Sequence, residues 1–279
     1  MMSAFSAAWL ALREPADHRA RNVALRDAAL ARFAERDEIE IVDLGCGAGS
    51  NLRALATHLP RRQTWRLVDN DPLLFHAARR AFEGWADAVE SVEPLILRKE
   101  GRNIEIVFHE ADLVKLDGEL LEAADLVTAA ALFDLVSKEW VECFCAELAR
   151  RRLPLYAALT YDGEERWSPP HAADGEALLA FHRHQARDKG FGPALGPKAP
   201  LELKRVLEAL GYAAATAPSP WLLSAQSEAE LIAAVAEGAA DAVLETSLVQ
   251  ATTVEAWRRA RREAATVEIG HVDLYAWVG

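Results

Sequence analysis

Three regularly spaced glycines follow an aspartate early in the chain, in a pattern that can hold a nucleotide-like ligand. Gly45, Gly47 and Gly49 occupy every second position, where the missing Cβ permits positive φ and lets a ligand approach the backbone. Asp43 precedes them. A carboxylate there would repel a pyrophosphate, whereas a ligand with a cationic amine or sulfonium tolerates it. Asp69 follows Gly45 by 24 residues, a distance that suits hydrogen bonds to two ribose hydroxyls.

A strand, a loop and a helix must position these residues. The apolar residues 39–44 predict a strand that ends at the first glycine, and residues 65–69 predict a second strand that ends at an acid. After the loop, apolar side chains recur with helical spacing at Leu52, Leu55, Ala56 and Leu59. Because parallel strands end at one edge of a sheet, the loop and both acids are expected to form one site.

With two further segments, the chain resembles the class I S-adenosylmethionine (SAM)-dependent methyltransferases. The stretch from Asp43 to Gly49 is similar to their first motif, and Asp69 is similar to their ribose-binding acid. Residues 110–113 are similar to the adenine-contacting segment of the family, and residues 125–132 are similar to its fourth motif. The resemblance covers residues 39–160 closely and the remainder in outline. It implies SAM as the cofactor and methyl transfer as the activity.

The resemblance also assigns roles to individual residues. The glycines would let the loop wrap the methionine portion of SAM, while Asp43 would order that loop or contact the methionine amine. Asp69 would bind the ribose, and Asn70 would contact the adenine face. Asp112 would bind the adenine amino group, with Leu113 against the ring; capping of a turn is the alternative role for Asp112. The predicted cofactor-binding residues are Asp43, Gly45, Gly47, Gly49, Asp69, Asn70, Asp112, Leu113 and Ala130.

Other functional classes remain as alternatives. A nicotinamide-dependent dehydrogenase is disfavoured because Ser50 stands where its fingerprint has a third glycine, and because that fingerprint usually has an apolar residue in place of Asp43. An RNA or protein methyltransferase is a second alternative. The third is a protein of the same fold that binds SAM without catalysis.

Composition and charge restrict the partners. The chain has 31 basic and 43 acidic residues, a formal net charge of −12. An acidic surface repels phosphate backbones, which disfavours nucleic acid and favours a small-molecule acceptor. A secretory leader and a membrane-length apolar stretch are not evident in the sequence, which predicts a cytoplasmic protein without membrane contact. The histidines and cysteines do not show metal-ligand spacing, so no metal site is predicted.

The order of predicted strands and helices favours one α/β domain over residues 1–279, with a doubly wound, mostly parallel sheet and an antiparallel C-terminal strand. Residues 1–36 are predicted to form an N-terminal helical cover, and residues 37–160 the SAM-binding core. Residues 161–279 are predicted to supply an acceptor-side loop, helical insertions and the C-terminal strands.

Three local features refine this division. Residues 161–200 predict a long, irregular connection with a helical middle, and connections of that length are usually functional or disordered. Pro15 is predicted to begin a second helix within the N-terminal cover. Gly270 interrupts the alternation of the final strand and predicts a β-bulge there.

Candidates for contact with the methyl acceptor lie in this long connection, because the resembling enzymes open their acceptor pocket after the fourth and fifth strands. Tyr161 follows the strand predicted over residues 153–160, and His182 and His184 lie on the helical middle. A neutral histidine can remove a proton near neutral pH. Residues two apart on a helix point in different directions, so at most one histidine is expected to face the acceptor. A surface position for both is the alternative, and the sequence assigns no catalytic residue.

Overall fold

The computed structural model describes residues 5–115 and 118–279. Residues 1–4 of the predicted helical cover and residues 116–117 of the predicted core lie outside this part of the chain. The strands within it are β1 (Glu38–Leu44), β2 (Arg62–Asp69), β3 (Ala88–Val92), β4 (Leu95–Lys99), β5 (Arg102–Glu110), β6 (Leu126–Ala130), β7 (Leu155–Ser168), β8 (Ala213–Pro218), β9 (Trp221–Ser224) and β10 (Thr266–Trp277). The α-helices within it are α1 (Ala7–Ala20), α2 (Val23–Ala31), α3 (Ser50–Leu55), α4 (Pro72–Trp85), α5 (Lys138–Arg151), α6 (Asp174–Gln185), α7 (Ala199–Ala209), α8 (Ala225–Thr246) and α9 (Ala251–Arg262).

All of these strands belong to one sheet, in the order β3-β4-β5-β2-β1-β6-β7-β10-β8, with β9 also paired to β10. The central strands β5, β2, β1, β6 and β7 run parallel. At one edge β3 and β4 form an antiparallel extension of β5, and at the other β10 runs antiparallel between β7 and β8. The predicted mostly parallel α/β sheet with an antiparallel C-terminal strand is therefore confirmed.

Helices cover both faces of the sheet, which explains the nearly continuous apolar sequence of β1. This strand lies between two parallel neighbours, so its side chains are buried on both faces. Val42 and Leu44 belong to one apolar cluster, together with Phe144 of α5. Ile41 belongs to a second cluster, together with Leu52 of α3. Packing against both clusters fixes the position of β1 and places its last residue at the sheet edge where the glycine loop begins.

The predicted helix break at Pro15 is wrong. α1 continues through this residue, and the chain turns only at residues 21–22, where the side chain of Asn22 caps α2. A proline inside a helix costs about 3 kcal/mol, but neighbouring residues of α1 are held by the rest of the fold. Arg53 Nη2 lies 2.5 Å from a carboxylate oxygen of Glu14, and Trp221 Nε1 donates to Asp17 at 3.0 Å. These distant contacts keep the helix continuous.

The predicted long connection after residue 160 begins later than expected. β7 extends through Ser168 because β10 pairs with it along this stretch, with Trp167 opposite Val267. The β-bulge predicted at Gly270 is confirmed by a shift of register between Ile269 and His271. The predicted helical middle is α6. Among the described residues, no helix combines the length and apolar character needed to cross a membrane.

Candidate active site

The glycine loop lies between β1 and α3, at the carboxyl edge of the parallel strands. Gly45, Gly47 and Gly49 all have positive φ, at 64°, 52° and 75°. Cys46 N donates to the carbonyl of Val68 at 3.0 Å, and Gly49 N donates to the carbonyl of Cys46 at 2.9 Å. These bonds fold the loop back against the end of β2 and bring it beside the predicted ribose-binding acid.

Asp69 is buried at the end of β2, and its carboxylate is bonded to the loop. Its Oδ2 accepts from Gly47 N at 2.8 Å, and its Oδ1 accepts from Asp71 N at 3.1 Å. Burial raises the pKa of Asp69, while these backbone donors oppose the shift. The carboxylate also accepts from the backbone N–H of Asn70. Since a carboxylate can accept about four hydrogen bonds, these three donors leave room for a ligand hydroxyl.

Asp43 lies beneath the loop and is fully buried. Its Oδ1 accepts from Asn51 Nδ2 at 2.7 Å, and the same amide also donates to Thr128 Oγ1 at 2.9 Å. Burial raises the pKa of Asp43 to about 7. The two expected roles of Asp43 are ordering of the loop and contact with the methionine amine. The geometry favours ordering of the loop, because the bond to Asn51 connects α3 to β1.

The other predicted cofactor residues lie along the same edge. β5 runs parallel to β2, with Glu110 opposite Asp69, so the segment that follows β5 stands beside the ribose-binding candidate. Asp112 is exposed and accepts from the backbone N–H of Val114 at 3.0 Å, as the turn-capping alternative requires. Leu113 is buried, and its carbonyl accepts from a tryptophan of α5. Asn70 is exposed, and Ala130 is half-buried at the end of β6.

Helix α1 packs directly over the glycine loop. Leu10 Cδ1 lies 3.0 Å from the position that a Cβ on Gly47 would take. His18 Nε2 lies 3.0 Å from Ser50 Oγ, and burial lowers the pKa of this histidine. α1, within the segment predicted as an N-terminal cover, therefore borders the glycine loop.

On the acceptor side, the structure separates the two candidate histidines. His182 Nε2 lies 3.2 Å from Tyr161 Oη, whose hydroxyl donates to Glu165 at 2.9 Å. His184 Nε2 instead lies 3.0 Å from Glu245 of α8. Burial lowers the pKa of His182 and raises that of Tyr161, so both side chains are uncharged near neutral pH. The fold brings Tyr161 and His182 together and directs His184 elsewhere.

Asp134 is a functional candidate that the sequence analysis missed. It lies just beyond β6, its carboxyl group accepts from the backbone N–H of Tyr161, and burial raises its pKa to about 6. Among the described residues, no donor reaches its Oδ1. Asp134 stands two residues beyond the segment that resembles the fourth motif, and an acid at this position after a strand is the signal in the sequence that points to it.

The segment between α6 and α7 packs onto this turn. Leu195 N donates to the carbonyl of Val136 at 2.8 Å, and Phe191 packs edge-on against Trp140 with ring centroids 5.8 Å apart. Burial lowers the pKa of Lys189, and the Asp134 carboxylate acts in the opposite direction. The later part of the predicted acceptor loop therefore covers the strand edge that carries Asp134.

No family model and no curated protein matches the sequence. Among solved structures, a cyclopropane-fatty-acyl-phospholipid synthase-like protein from Lactobacillus casei superposes with a TM-score of 0.56 at 13% identity, over 99% of this chain and 96% of that one. The chain has the class I SAM-dependent methyltransferase fold. In this methyltransferase fold, the glycine loop, Asp69, Asp112 and Asp134 all lie at the carboxyl edge of the parallel strands.

Two more distant similarities have lower scores. The precorrin-6y C5,15-methyltransferase from Geobacter metallireducens GS-15 has a TM-score of 0.47 at 11% identity, over 92% of this chain and 87% of that one. The cyclopropane synthase MmaA2 from Mycobacterium tuberculosis has a TM-score of 0.46 at 12% identity, over 91% of this chain and 83% of that one.

Proposed function

We propose that this chain is a SAM-dependent methyltransferase that acts on a small-molecule acceptor. The observation that carries the proposal is the hydrogen bond from Gly47 N to Asp69, because it joins a loop of three positive-φ glycines to a buried acid at one sheet edge. This arrangement presents backbone groups and a carboxylate to one ligand. The methyltransferase fold also supports the proposal that this ligand is SAM.

The residues present suit SAM. Asp69 retains acceptor capacity for a ribose hydroxyl, and the glycine loop lies beside it for the methionine portion. Asp112, exposed two residues beyond the end of β5, lies along the same edge and is suited to the adenine amino group. When bound, SAM would supply a methyl group on a sulfonium, so that an acceptor lone pair could attack the methyl carbon in line while the carbon–sulfur bond breaks and the neutral thioether product leaves.

Such a displacement depends mainly on alignment and exclusion of water. Asp134 is suited to hold the reacting atom of the acceptor, because its Oδ1 is buried without a protein donor. With its pKa raised to about 6, it can take a proton from an acceptor hydroxyl or amine near neutral pH. Tyr161 remains protonated, so its hydroxyl acts as a hydrogen-bonding group rather than as a base.

The surroundings of this edge favour a small acceptor. α1 packs over the glycine loop, and residues 188–196 pack over the turn that carries Asp134. Both coverings restrict access by a folded polymer. The net charge of −12 also opposes an RNA substrate.

The binding step is tested by calorimetry with SAM, its demethylated product and NAD. We expect the first two to bind; binding of NAD without SAM would contradict the proposal. The activity is tested with isotopically labelled SAM and a metabolite extract, with the labelled product identified by mass spectrometry. Binding of SAM with no labelled product in any extract would favour the non-catalytic alternative.

Three variants then test the acceptor side. Asp134→Asn should lower turnover by about 10²–10⁴-fold, the usual range for a general base, with SAM affinity unchanged. His182→Ala should impair acceptor binding because it removes the neighbour of the Tyr161 hydroxyl. His184→Ala is the matched control on the same helix and should retain wild-type activity. Equal losses in the two histidine variants would place the acceptor elsewhere.

A further inference from the structure

A cavity of about 140 Å³ lies between the far end of β7 and helices α6, α8 and α9. Two carboxylates and three aromatic rings line it, from Glu165, Asp174, Trp167, Trp257 and Phe181, and the remaining wall is small and apolar. A cavity of roughly 150 Å³ accommodates a molecule the size of benzene. The available space therefore suits a small organic group.

Glu165 is the carboxylate of this cavity for which the described residues supply no ion-pair partner. Its Oε1 accepts from the hydroxyl of Tyr161 at 2.9 Å, and its Oε2 accepts from the indole N–H of Trp167 at 3.2 Å. Both donors are neutral. Burial raises the pKa of Glu165, and these two hydrogen bonds only oppose that shift. A cation placed in the cavity would supply the missing compensation.

Asp174 already has a cationic neighbour. Its Oδ1 accepts from Trp257 Nε1 at 2.8 Å and lies 3.6 Å from Arg261 Nη1. The Arg261 guanidinium is buried and also lies 5.7 Å from the ring centroid of Trp167. Within the described part of the chain, the cavity thus has one arginine beside its two carboxylates. With both carboxylates ionised, the balance is one negative charge, which a monovalent cation neutralises.

The aromatic side chains define the type of cation. The rings of Trp167 and Trp257 meet at 69° with centroids 6.1 Å apart, and both indole N–H groups are bonded to the carboxylates. Their contribution to the wall is therefore ring surface. Tryptophan faces attract ammonium groups, most strongly when the site is desolvated. A hard metal ion would instead need several oxygen ligands, which this mostly carbon-lined cavity does not offer.

We infer that this cavity binds a small organic ammonium ion, with its charge beside Glu165 and its carbon atoms against Trp167 and Trp257. The site is separate from the SAM-binding edge. Phe181 and Tyr161 connect the two regions, since their rings pack edge-on with centroids 6.2 Å apart. Binding at this site does not require that the methyl-transfer proposal be correct.

The test is a calorimetric titration of the full-length protein with choline at constant ionic strength. The neutral isostere 3,3-dimethylbutan-1-ol serves as the control ligand. We expect the alcohol to bind about tenfold or more weakly than choline, because it lacks the charge that the rings and Glu165 attract. Equal affinities for the two ligands, or no binding of choline, would overturn the inference.

Variants locate the site within the protein. Glu165→Gln should weaken choline binding about tenfold or more, since it removes the nearby charge. Glu164→Gln changes the exposed neighbour on the same strand and should leave choline affinity unchanged. If thermal unfolding shows that Glu165→Gln does not fold, Trp257→Phe decides the question by an expected loss of several-fold. Wild-type affinity in Glu165→Gln or in Trp257→Phe would overturn the assignment.

Discussion

Gly49→Ala offers the sharpest test of how the glycine loop is built. Gly49 has a φ of 75°, and an added Cβ would overlap Cζ of Phe82 and lie 2.8 Å from its Cε1. Phe82 is fully buried, and the guanidinium of Arg53 lies 5.3 Å from its ring centroid. The ring therefore has little room to move away from the new methyl group.

The expected magnitude has two parts. A left-handed conformation costs an alanine about 1–2 kcal/mol, and overpacking of a closed core costs about 1–3 kcal/mol. Gly49→Ala should therefore lower the free energy of unfolding by about 2–5 kcal/mol. SAM affinity should also fall, because relief of the overlap must shift either the loop or the start of α3.

Gly101→Ala is the matched control. Gly101 has nearly the same φ, 74°, but no described atom lies within 4 Å of its Cβ position. It should show the conformational cost of about 1–2 kcal/mol alone, with SAM binding unchanged. Denaturant unfolding of the wild type and both variants separates the two contributions. Equal unfolding free energies for Gly49→Ala and Gly101→Ala would refute the packing argument.

Three further predictions concern the acids and the tyrosine. Asp69→Asn removes the charge on the carboxylate that accepts from Gly47 N. SAM affinity measured by calorimetry should fall by about tenfold or more, since a charge-assisted hydrogen bond contributes about 1.5–3 kcal/mol. An unchanged affinity would place the ribose elsewhere. Asp43 has a pKa raised from 3.8 to about 7. Between these pH values the folded protein keeps a proton on Asp43 that the unfolded protein releases. The stability that this protonated group contributes is therefore lost as pH rises from about 4 to about 7. The free energy of unfolding, measured with denaturant at pH 5 and pH 8, should therefore decline less in Asp43→Asn than in the wild type. The same decline in both proteins would show that Asp43 does not titrate in this range. Tyr161→Phe should raise the acceptor concentration needed for half-maximal methylation while SAM affinity stays constant; wild-type kinetics would exclude contact with the acceptor.

Local sequence was sufficient for the elements that local physics controls. The strand before Gly45, the acid that ends β2 and the bulge at Gly270 were all predicted from residue spacing. Each depends on the alternation of side chains or on the preference of glycine for particular backbone angles. These requirements act within a few residues, so they can be read before any tertiary contact is known.

The tertiary structure decided the features that depend on residues far apart in the chain. α1 continues through Pro15 because Arg53 and Trp221 hold it on either side. β7 extends to Ser168 because β10, about a hundred residues later, supplies its backbone partners. The residues near Pro15 and Ser168 do not reveal these distant contacts. The local sequence therefore predicted a helix break in α1 and an early end to β7.

The acceptor side shows the same division. The sequence predicted that at most one of His182 and His184 faces the acceptor. The packing of α6 decides that His182 lies beside Tyr161 and His184 beside Glu245. Burial likewise gives Asp134 its raised pKa, and burial is a property of the whole fold. The sequence by itself determined the glycine loop and the acids at the strand ends, since local spacing specifies them. Long-range packing decided which side chains become desolvated and adjacent.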